Sequence, residues 1–436
     1  VDADEVINNN YNSRQELLAE KVVRGTIYSR DRQVLAETIV GVDGTETRNY
    51  PYGKLFAQAV GFSTHGKIGI EQLENFNLLR SNAYVVERIK NEIAEKKNIG
   101  DNVITTFDPK LQQVADEAMG VYSGAILVMK PDTGEVLAMV SKPDYDPNTI
   151  NAVWDTITAD ETSGALLNRA TQGLYPAGST FKIVTALEYL KETPDYESYQ
   201  FNCTGSYTKE DNTINCYHGI SHGQLDFMHS FAESCNSSFA NISTQLDRKT
   251  FQKTCEELLF NQKLPIPIPY KQSYVPIKAS SDLEEVMQTA IGQGETQVTP
   301  IHIALITAAI ANDGILMKPY FVSEIETYQH DTVKEYKPDK YGALMSEEEA
   351  HILQTFMREV VESGTGTKLK GQAYTAAGKT GSAEYTSDKS ESHAWFTGYA
   401  TQGEDSVVVT ILIEGAGSGG EYAVPMAKRI FDAYFK

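Results

Sequence analysis

The sequence predicts an α+β fold, an antiparallel sheet backed by helices, with a small mixed module ahead of it. Three observations carry that expectation. An apolar hairpin opens the larger part: Ala125-Ile126-Leu127-Val128-Met129 and Val136-Leu137-Ala138-Met139-Val140, joined by a turn from Lys130 to Gly134. Helical patterns fill the middle. Three strand-like runs, Thr375 to Ser382, Ala394 to Ala400 and Val407 to Ile413, then precede a last helix. Hairpin first, helices next, hairpin and helix last is the order of an antiparallel sheet with helices laid against it.

Taken in order, residues 1–20 are polar and Asn-rich, with a short helical pattern around Leu17 and Leu18, and read as a tether or the first piece of a mixed domain. Val23 to Tyr28 alternates like a strand, Arg30-Asp31-Arg32-Gln33 is a polar turn, and Val34-Leu35-Ala36 begins the return strand. Arg48 to Gly53 reads as a turn, and Phe56 to Phe62 as a short helix or strand. Gly69-Ile70-Glu71 leads into a helix through Leu73, Phe76 and Leu79, and the charged stretch Glu87 to Lys97 as a solvated helix or an insertion. Val103 to Thr106 is strand-like. Asp108-Pro109 starts a helix, with Asp as its cap and Pro where a missing N–H costs nothing. The pattern changes here, which divides the chain into a non-catalytic module over 1–105 and a larger domain over 106–436.

Within that domain, Asp195 to Gly223 is polar, and a helix follows through Leu225, Phe227, Met228 and Phe231. Pro300 to Ala311 reads as a buried helix closed by Asn312-Asp313-Gly314. Ser346-Glu347-Glu348-Glu349 is a capping box opening a helix through Ile352, Phe356 and Val360 that stops at Gly364. Val424-Pro425 is expected to start the final helix.

The net charge of −21 over 436 residues argues against nucleic acid or an anionic membrane surface as the main partner. Four cysteines are too few to build a disulfide scaffold. No apolar run reaches the roughly 18 residues that a membrane-spanning helix requires. The chain opens at Val1 with neither an initiator Met nor a signal peptide.

The chemistry concentrates around Tyr175-Pro176-Ala177-Gly178-Ser179-Thr180-Phe181-Lys182. A Pro/Gly turn runs into an apolar helical pattern, so Ser179 falls on the first turn of a helix with Lys182 on the same face. A serine hydroxyl is a weak nucleophile until a base takes its proton, and a lysine whose pKa is lowered by burial or by another cation can be that base. The helix start adds N–H groups suited to an oxyanion. Ser-x-x-Lys alone is a common accident, but Ser234-Cys235-Asn236 and Lys379-Thr380-Gly381 follow in order.

Those three motifs are the set found in β-lactamases and penicillin-binding proteins. With Arg24-Gly25-Thr26-Ile27, Arg48-Asn49-Tyr50-Pro51 and Gly69-Ile70-Glu71 in the first module, and Gly292-Gln293-Gly294, Val298-Thr299-Pro300 and Lys379-Thr380-Gly381-Ser382-Ala383-Glu384 in the second, the chain resembles class B penicillin-binding proteins over nearly its whole length. Its short first module is similar to the penicillin-binding protein A-like members of Gram-positive bacteria. The resemblance implies the penicillin-binding transpeptidase fold with a helical subdomain, and a peptidoglycan D,D-transpeptidase that needs no cofactor. Ser179 would attack a stem peptide ending in D-Ala–D-Ala, with Lys182 as base. Ser234 would relay a proton, and Asn236 would bind the substrate amide. Lys379 and Thr380 would recognise the substrate carboxylate, and Gly381 would let the strand lie close to the ligand. The N–H groups of Ser179 and Ser382 would form the oxyanion hole, worth about 3–4 kcal/mol per donor in comparable sites. β-Lactams would acylate the same serine. The resemblance further implies an N-terminal membrane anchor ahead of Val1, an extracytoplasmic location and a SEDS-type glycosyltransferase partner.

Other readings share the residues. A serine β-lactamase or a D,D-carboxypeptidase would use the same acylation, and a β-lactam sensor or wall-synthesis scaffold would only bind. The intact motifs weigh against a scaffold. Glu384 and Trp395 read as structural, and Cys235 as buried packing. No metal is assigned to the site. The segment Cys203…Cys216-Tyr217-His218…His222 has no standard zinc spacing, and free thiols, a disulfide, or zinc with Asp211 nearby all stay open.

Overall fold

A computed structural model of the chain describes residues 18–160, 162–385 and 391–436; the expected tether lies, up to Leu17, outside them. The expected sheet has five strands in the order Thr375–Glu384, Ser392–Gln402, Asp405–Ile413, Gly124–Met129 and Val136–Lys142. Every pairing is antiparallel. Strand Gly124–Met129 and most of Asp405–Ile413 are apolar throughout because both faces are covered. Ile126, Val128 and Ile411 share one core with Leu111 and Phe431, from helices Pro109–Met119 and Gly419–Tyr434. Leu127, Met129 and Leu412 face the other core, with Ile303 and Ile306 of Pro300–Ala311 and Met357 of Glu347–Glu362. Pro300–Ala311 is apolar all round and buried, as expected. Its one imidazole, His302, meets Leu258 O at 2.7 Å, and burial lowers its pKa to about 4.

The caps form as read. Asp108 Oδ1 accepts from the N–H groups of Lys110 and Leu111, and the Ser346 capping box closes in both directions. The last helix departs from expectation, beginning at Gly419 and carrying Pro425 inside it. Proline leaves the carbonyl four residues earlier without its helical donor. That carbonyl, Glu421 O, receives Lys368 Nζ at 3.4 Å instead. The polar region from Asp195 to Gly223 is also more ordered than its composition suggested. It holds two two-stranded ribbons, Gln200–Cys203 with Gly223–Asp226 and Ser206–Lys209 with Asn212–Asn215. Leu225 therefore lies on a strand, and the helix expected to include it is only Phe227–Ala232.

Near the N-terminus the expected strand from Val23 to Tyr28 is broken into Val22–Val23 and Ile27–Tyr28. Gly25 packs so tightly that a Cβ there would lie 2.0 Å from Asp101 O. Ile27–Tyr28 belongs to a six-stranded mixed sheet ordered Thr332–Glu335, Val322–Glu326, Asn102–Thr105, Ile27–Tyr28, Val34–Val40 and Glu46–Asn49. Two of its strands thus come from far along the chain. Arg48, expected in a turn, lies inside the last of these strands, and the turn begins after Asn49. The Arg48 guanidinium reaches the buried Glu71 carboxylate at 2.7 Å, Arg24 holds the other oxygen at 2.6 Å, and the Tyr50 hydroxyl adds a contact at 3.1 Å. Burial alone would raise the Glu71 carboxyl, but the two guanidiniums outweigh it and hold its pKa below the ordinary value. The solvated helix is present as Val85–Ile93, with no buried residue.

Candidate active site

Ser179 sits on a tight helical turn, Gly178–Phe181, that runs directly into helix Lys182–Glu192. Backbone contacts hold the turn from two sides. Gly178 N donates to Gly292 O at 2.8 Å, and the Trp395 indole donates to Pro176 O at 3.1 Å. Gly292 has φ +71°, and a Cβ there would fall 2.1 Å from Gly178 O. Only glycine fits that crossing. The Gly-Gln-Gly segment therefore supports the turn that carries the nucleophile.

One turn on, Lys182 is fully buried. Its Nζ donates to Ser234 O and Asn236 Oδ1, both at 2.6 Å, and to Ser234 Oγ at 3.3 Å. Lys379 enters from the edge strand Thr375–Glu384 and is equally buried. It donates to the same Ser234 Oγ at 2.8 Å and to Thr380 O at 3.1 Å. Ser234 thus bridges the two amines from a left-handed backbone position with φ +56°, in the turn before helix Asn236–Ser243. Neither lysine has a carboxylate partner among the described residues. Each lies over an aromatic ring instead, Lys182 over Phe239 and Lys379 over Phe231, both at 5.5 Å from the centroid. Burial pushes Lys182 down to about 8. Burial, together with repulsion from Lys182, pushes Lys379 well below its ordinary value. Both amines are thereby moved toward the neutral form.

Above this pair opens a cleft of about 750 Å³, with Ser179, Ser234, Asn236, Thr380, Gly381 and Ser382 on its surface. All eight residues singled out from the sequence therefore converge, six on the cleft surface and the two lysines under its floor. Four details differ from the expected roles. Lys379 is shielded from the cleft. The Thr380 hydroxyl is already engaged, 2.5 Å from that of Thr365. The close approach at Gly381 is to the protein's own Trp395 and Thr180, where a Cβ would lie 3.1 Å from Trp395 Cβ and 3.3 Å from Thr180 Cγ2. The amide of Asn236 is engaged too, accepting from Lys182 and donating to Asn215 O at 3.1 Å. Since Thr375–Glu384 is an edge strand, alternate residues along it turn their backbone groups away from the sheet, and Ser382, on the cleft surface, is one of these.

Sequence reasoning missed the opposite wall. Residues 213–220 lie along it, with Gln288, Gln293 and Thr365 nearby. Nothing in a polar stretch marks it as a wall. Only Gln293, between two glycines of positive φ, left a signal that could have been followed. Trp395 is structural as expected, fully buried.

The chain is similar to known proteins in sequence and in fold. The chain is 29% identical to the peptidoglycan D,D-transpeptidase PbpA of Mycolicibacterium smegmatis, over 92% of this chain and 88% of that protein. It superposes with a TM-score of 0.85 on the D,D-transpeptidase domain of a peptidoglycan glycosyltransferase from Eggerthella lenta, at 29% identity, covering 95% of this chain and 98% of that one. The ceftriaxone acyl-enzyme complex of penicillin-binding protein A from M. tuberculosis matches at a TM-score of 0.87 and 26% identity, covering 96% and 100%. Residues 24–103 match the penicillin binding protein A dimerisation domain. Residues 124–432, well over half of the sequence, match the penicillin binding protein transpeptidase domain, and the chain belongs to that family.

Proposed function

We propose that the chain is a serine-type peptidoglycan D,D-transpeptidase that crosslinks stem peptides ending in D-Ala–D-Ala and is acylated by β-lactams. The observation that carries this reading is a cleft-facing serine above two buried lysines joined through one hydroxyl. In the proposed cycle Ser179 Oγ attacks the carbonyl of the penultimate D-Ala, and neutral Lys182 takes its proton. The N–H groups of Ser179 and Ser382 receive the oxyanion. The proton returns to the leaving D-Ala through Ser234, which touches both amines. A second peptide's amine then attacks the acyl-enzyme and forms the crosslink. Asn236 and Thr380 would bind the peptide amide and terminal carboxylate by exchanging their present partners, and Lys379 would supply charge from beneath.

We assign residues 1–105 to a non-catalytic module and 106–436 to the transpeptidase domain, a division supported by the separate matches at 24–103 and 124–432. The location is the outer face of the membrane, where the substrate lies, with an anchor ahead of Val1. No helix among the described residues is long and apolar enough to cross a membrane. A SEDS-type glycosyltransferase is the proposed partner, on the strength of the family resemblance.

Intact-protein mass after incubation with a penicillin, followed over hours, tests the core of this reading. An adduct of one drug mass that persists, and is absent in Ser179→Ala, is the expected result. An adduct that disappears while hydrolysed drug accumulates would make the chain a β-lactamase. No adduct on folded protein would remove Ser179 as nucleophile.

A further inference from the structure

On the reverse side of the Ser234-Cys235-Asn236 turn, three sulfurs and one imidazole converge from four separate segments. Cys203 ends strand Gln200–Cys203, and Cys216 follows strand Asn212–Asn215. His222 precedes strand Gly223–Asp226, and Cys235 caps helix Asn236–Ser243. We propose that Cys203, Cys216, Cys235 and His222 form a tetrahedral Cys3His site for a zinc ion that fixes one wall of the active-site cleft.

The distances suit such an ion. Zinc–sulfur bonds of about 2.3 Å and zinc–nitrogen bonds of about 2.0–2.1 Å place tetrahedral ligand atoms about 3.8 Å apart for S···S and about 3.5 Å for S···N. Here Cys203 Sγ and Cys216 Sγ are 3.7 Å apart, Cys216 Sγ and Cys235 Sγ 3.7 Å, and Cys203 Sγ and His222 Nδ1 3.3 Å. All four ligand atoms lie within 4.8 Å of one another. Each sulfur also accepts a backbone N–H, from Gly205 to Cys203 at 3.4 Å, Ser237 to Cys216 at 3.5 Å and Ser238 to Cys235 at 3.4 Å. Such donors favour the thiolate that zinc requires and orient it. A disulfide would satisfy two sulfurs and strand the third, and Cys216 is equally near both neighbours. The fourth cysteine, Cys255, lies buried in a different core and takes no part.

The surroundings give the ion a task. The ribbon between Cys203 and His222 is mostly polar, and the local core comprises only the three cysteines and Leu225, with Phe201 against them. A metal supplies the anchor that so small a core lacks. Residues 213–220 of this ribbon line the cleft, and Asn215 O receives the Asn236 amide. The last residue of the second motif thus ties the wall to the catalytic turn directly, and its middle residue, Cys235, does so through the metal. His218, first considered as a ligand, stands outside the cluster, its ring against Tyr217.

The test is metal content of the full chain purified under reducing conditions without metal-affinity steps, then loaded with zinc alone or with cobalt(II) alone and dialysed. The expected result is one equivalent of zinc per chain, with cobalt(II) giving the intense visible bands of a tetrahedral site and thiolate-to-metal charge transfer. Cys203→Ser and the milder, partly exposed His222→Ala should lower the retained metal at least tenfold, while Cys255→Ala keeps it. No retained metal and no tetrahedral cobalt spectrum would overturn the proposal. So would metal held equally by all variants, which is adventitious, or a native disulfide among these cysteines found by mass. Because the readout is metal and not acylation, failure here is separable from failure of Ser179 as nucleophile.

Discussion

The molecule buries two clusters of charge-bearing side chains, and they are built on opposite principles. In the N-terminal module Glu71 is gripped by Arg24 and Arg48, so opposite charges compensate one another. Beneath the cleft Lys182 and Lys379 share one serine hydroxyl and rest over phenylalanines, with no carboxylate among the described residues to offset them. Compensation keeps a buried group ionised and makes it a structural fastener. Its absence drives an amine toward neutrality, which is what a general base needs. Burial alone therefore does not mark function. The sign of what surrounds the buried group does.

Substitutions should separate the two clusters. Lys182→Met is expected to slow penicillin acylation by roughly 10²–10⁴-fold, the usual worth of general base catalysis, while disturbing stability less than a Glu71 variant does. Stopped-flow acylation and thermal melts read both, and a fast Lys182→Met enzyme would end the comparison. Glu71→Gln should do the reverse, costing about 3–5 kcal/mol because two guanidiniums are left without their anion. Urea unfolding measures the loss, and the folded fraction should acylate at the parent rate. Gly292→Ala comes next. Strain of about 1–3 kcal/mol at a left-handed position falls on the turn that aims Ser179, so acylation should suffer more than the melting point. Gly381→Ala, whose neighbours need give only slightly, should cost under about 1.5 kcal/mol.

The pH dependence sharpens the contrast further. Acylation should rise as Lys182 loses its proton near pH 8 and then level off. The penalty for burying its charge is relieved between there and its ordinary value near 10.5, where the unfolded chain binds the extra proton. At the acid end the sign is the same and only the pH window moves, because these groups too bind their proton less readily in the fold. His302 is held neutral in the fold, so stability drains away as pH falls from about 6.5 toward 4. Glu71 contributes stability above the ordinary carboxylate value and loses it only as pH falls through its own lowered one. Melting curves from pH 3 to 10 should show both phases, and Glu71→Gln should remove the lower one.

Local physics made much of this legible beforehand. The caps at Asp108 and Ser346, the all-apolar helix from Pro300 and the strands of the central sheet follow from short-range periodicity and from side chains that satisfy nearby backbone groups. The three motifs named the residues of the cleft. The sequence alone also determined that Ser179 and Lys182 share a helical face, because three residues separate them. It could not determine that Lys379 would meet Ser234, that Lys379 would be shielded from the cleft, or that Gly381 would press against Trp395. Nor could it take two strands near residue 330 back to the first module's sheet, or start the last helix ahead of Pro425 with Lys368 covering the freed carbonyl. Cys235 looked like packing until folding brought it beside Cys203, Cys216 and His222. Tertiary structure alone decides these matters, because contacts between distant segments depend on how whole elements pack and leave no period in the chain.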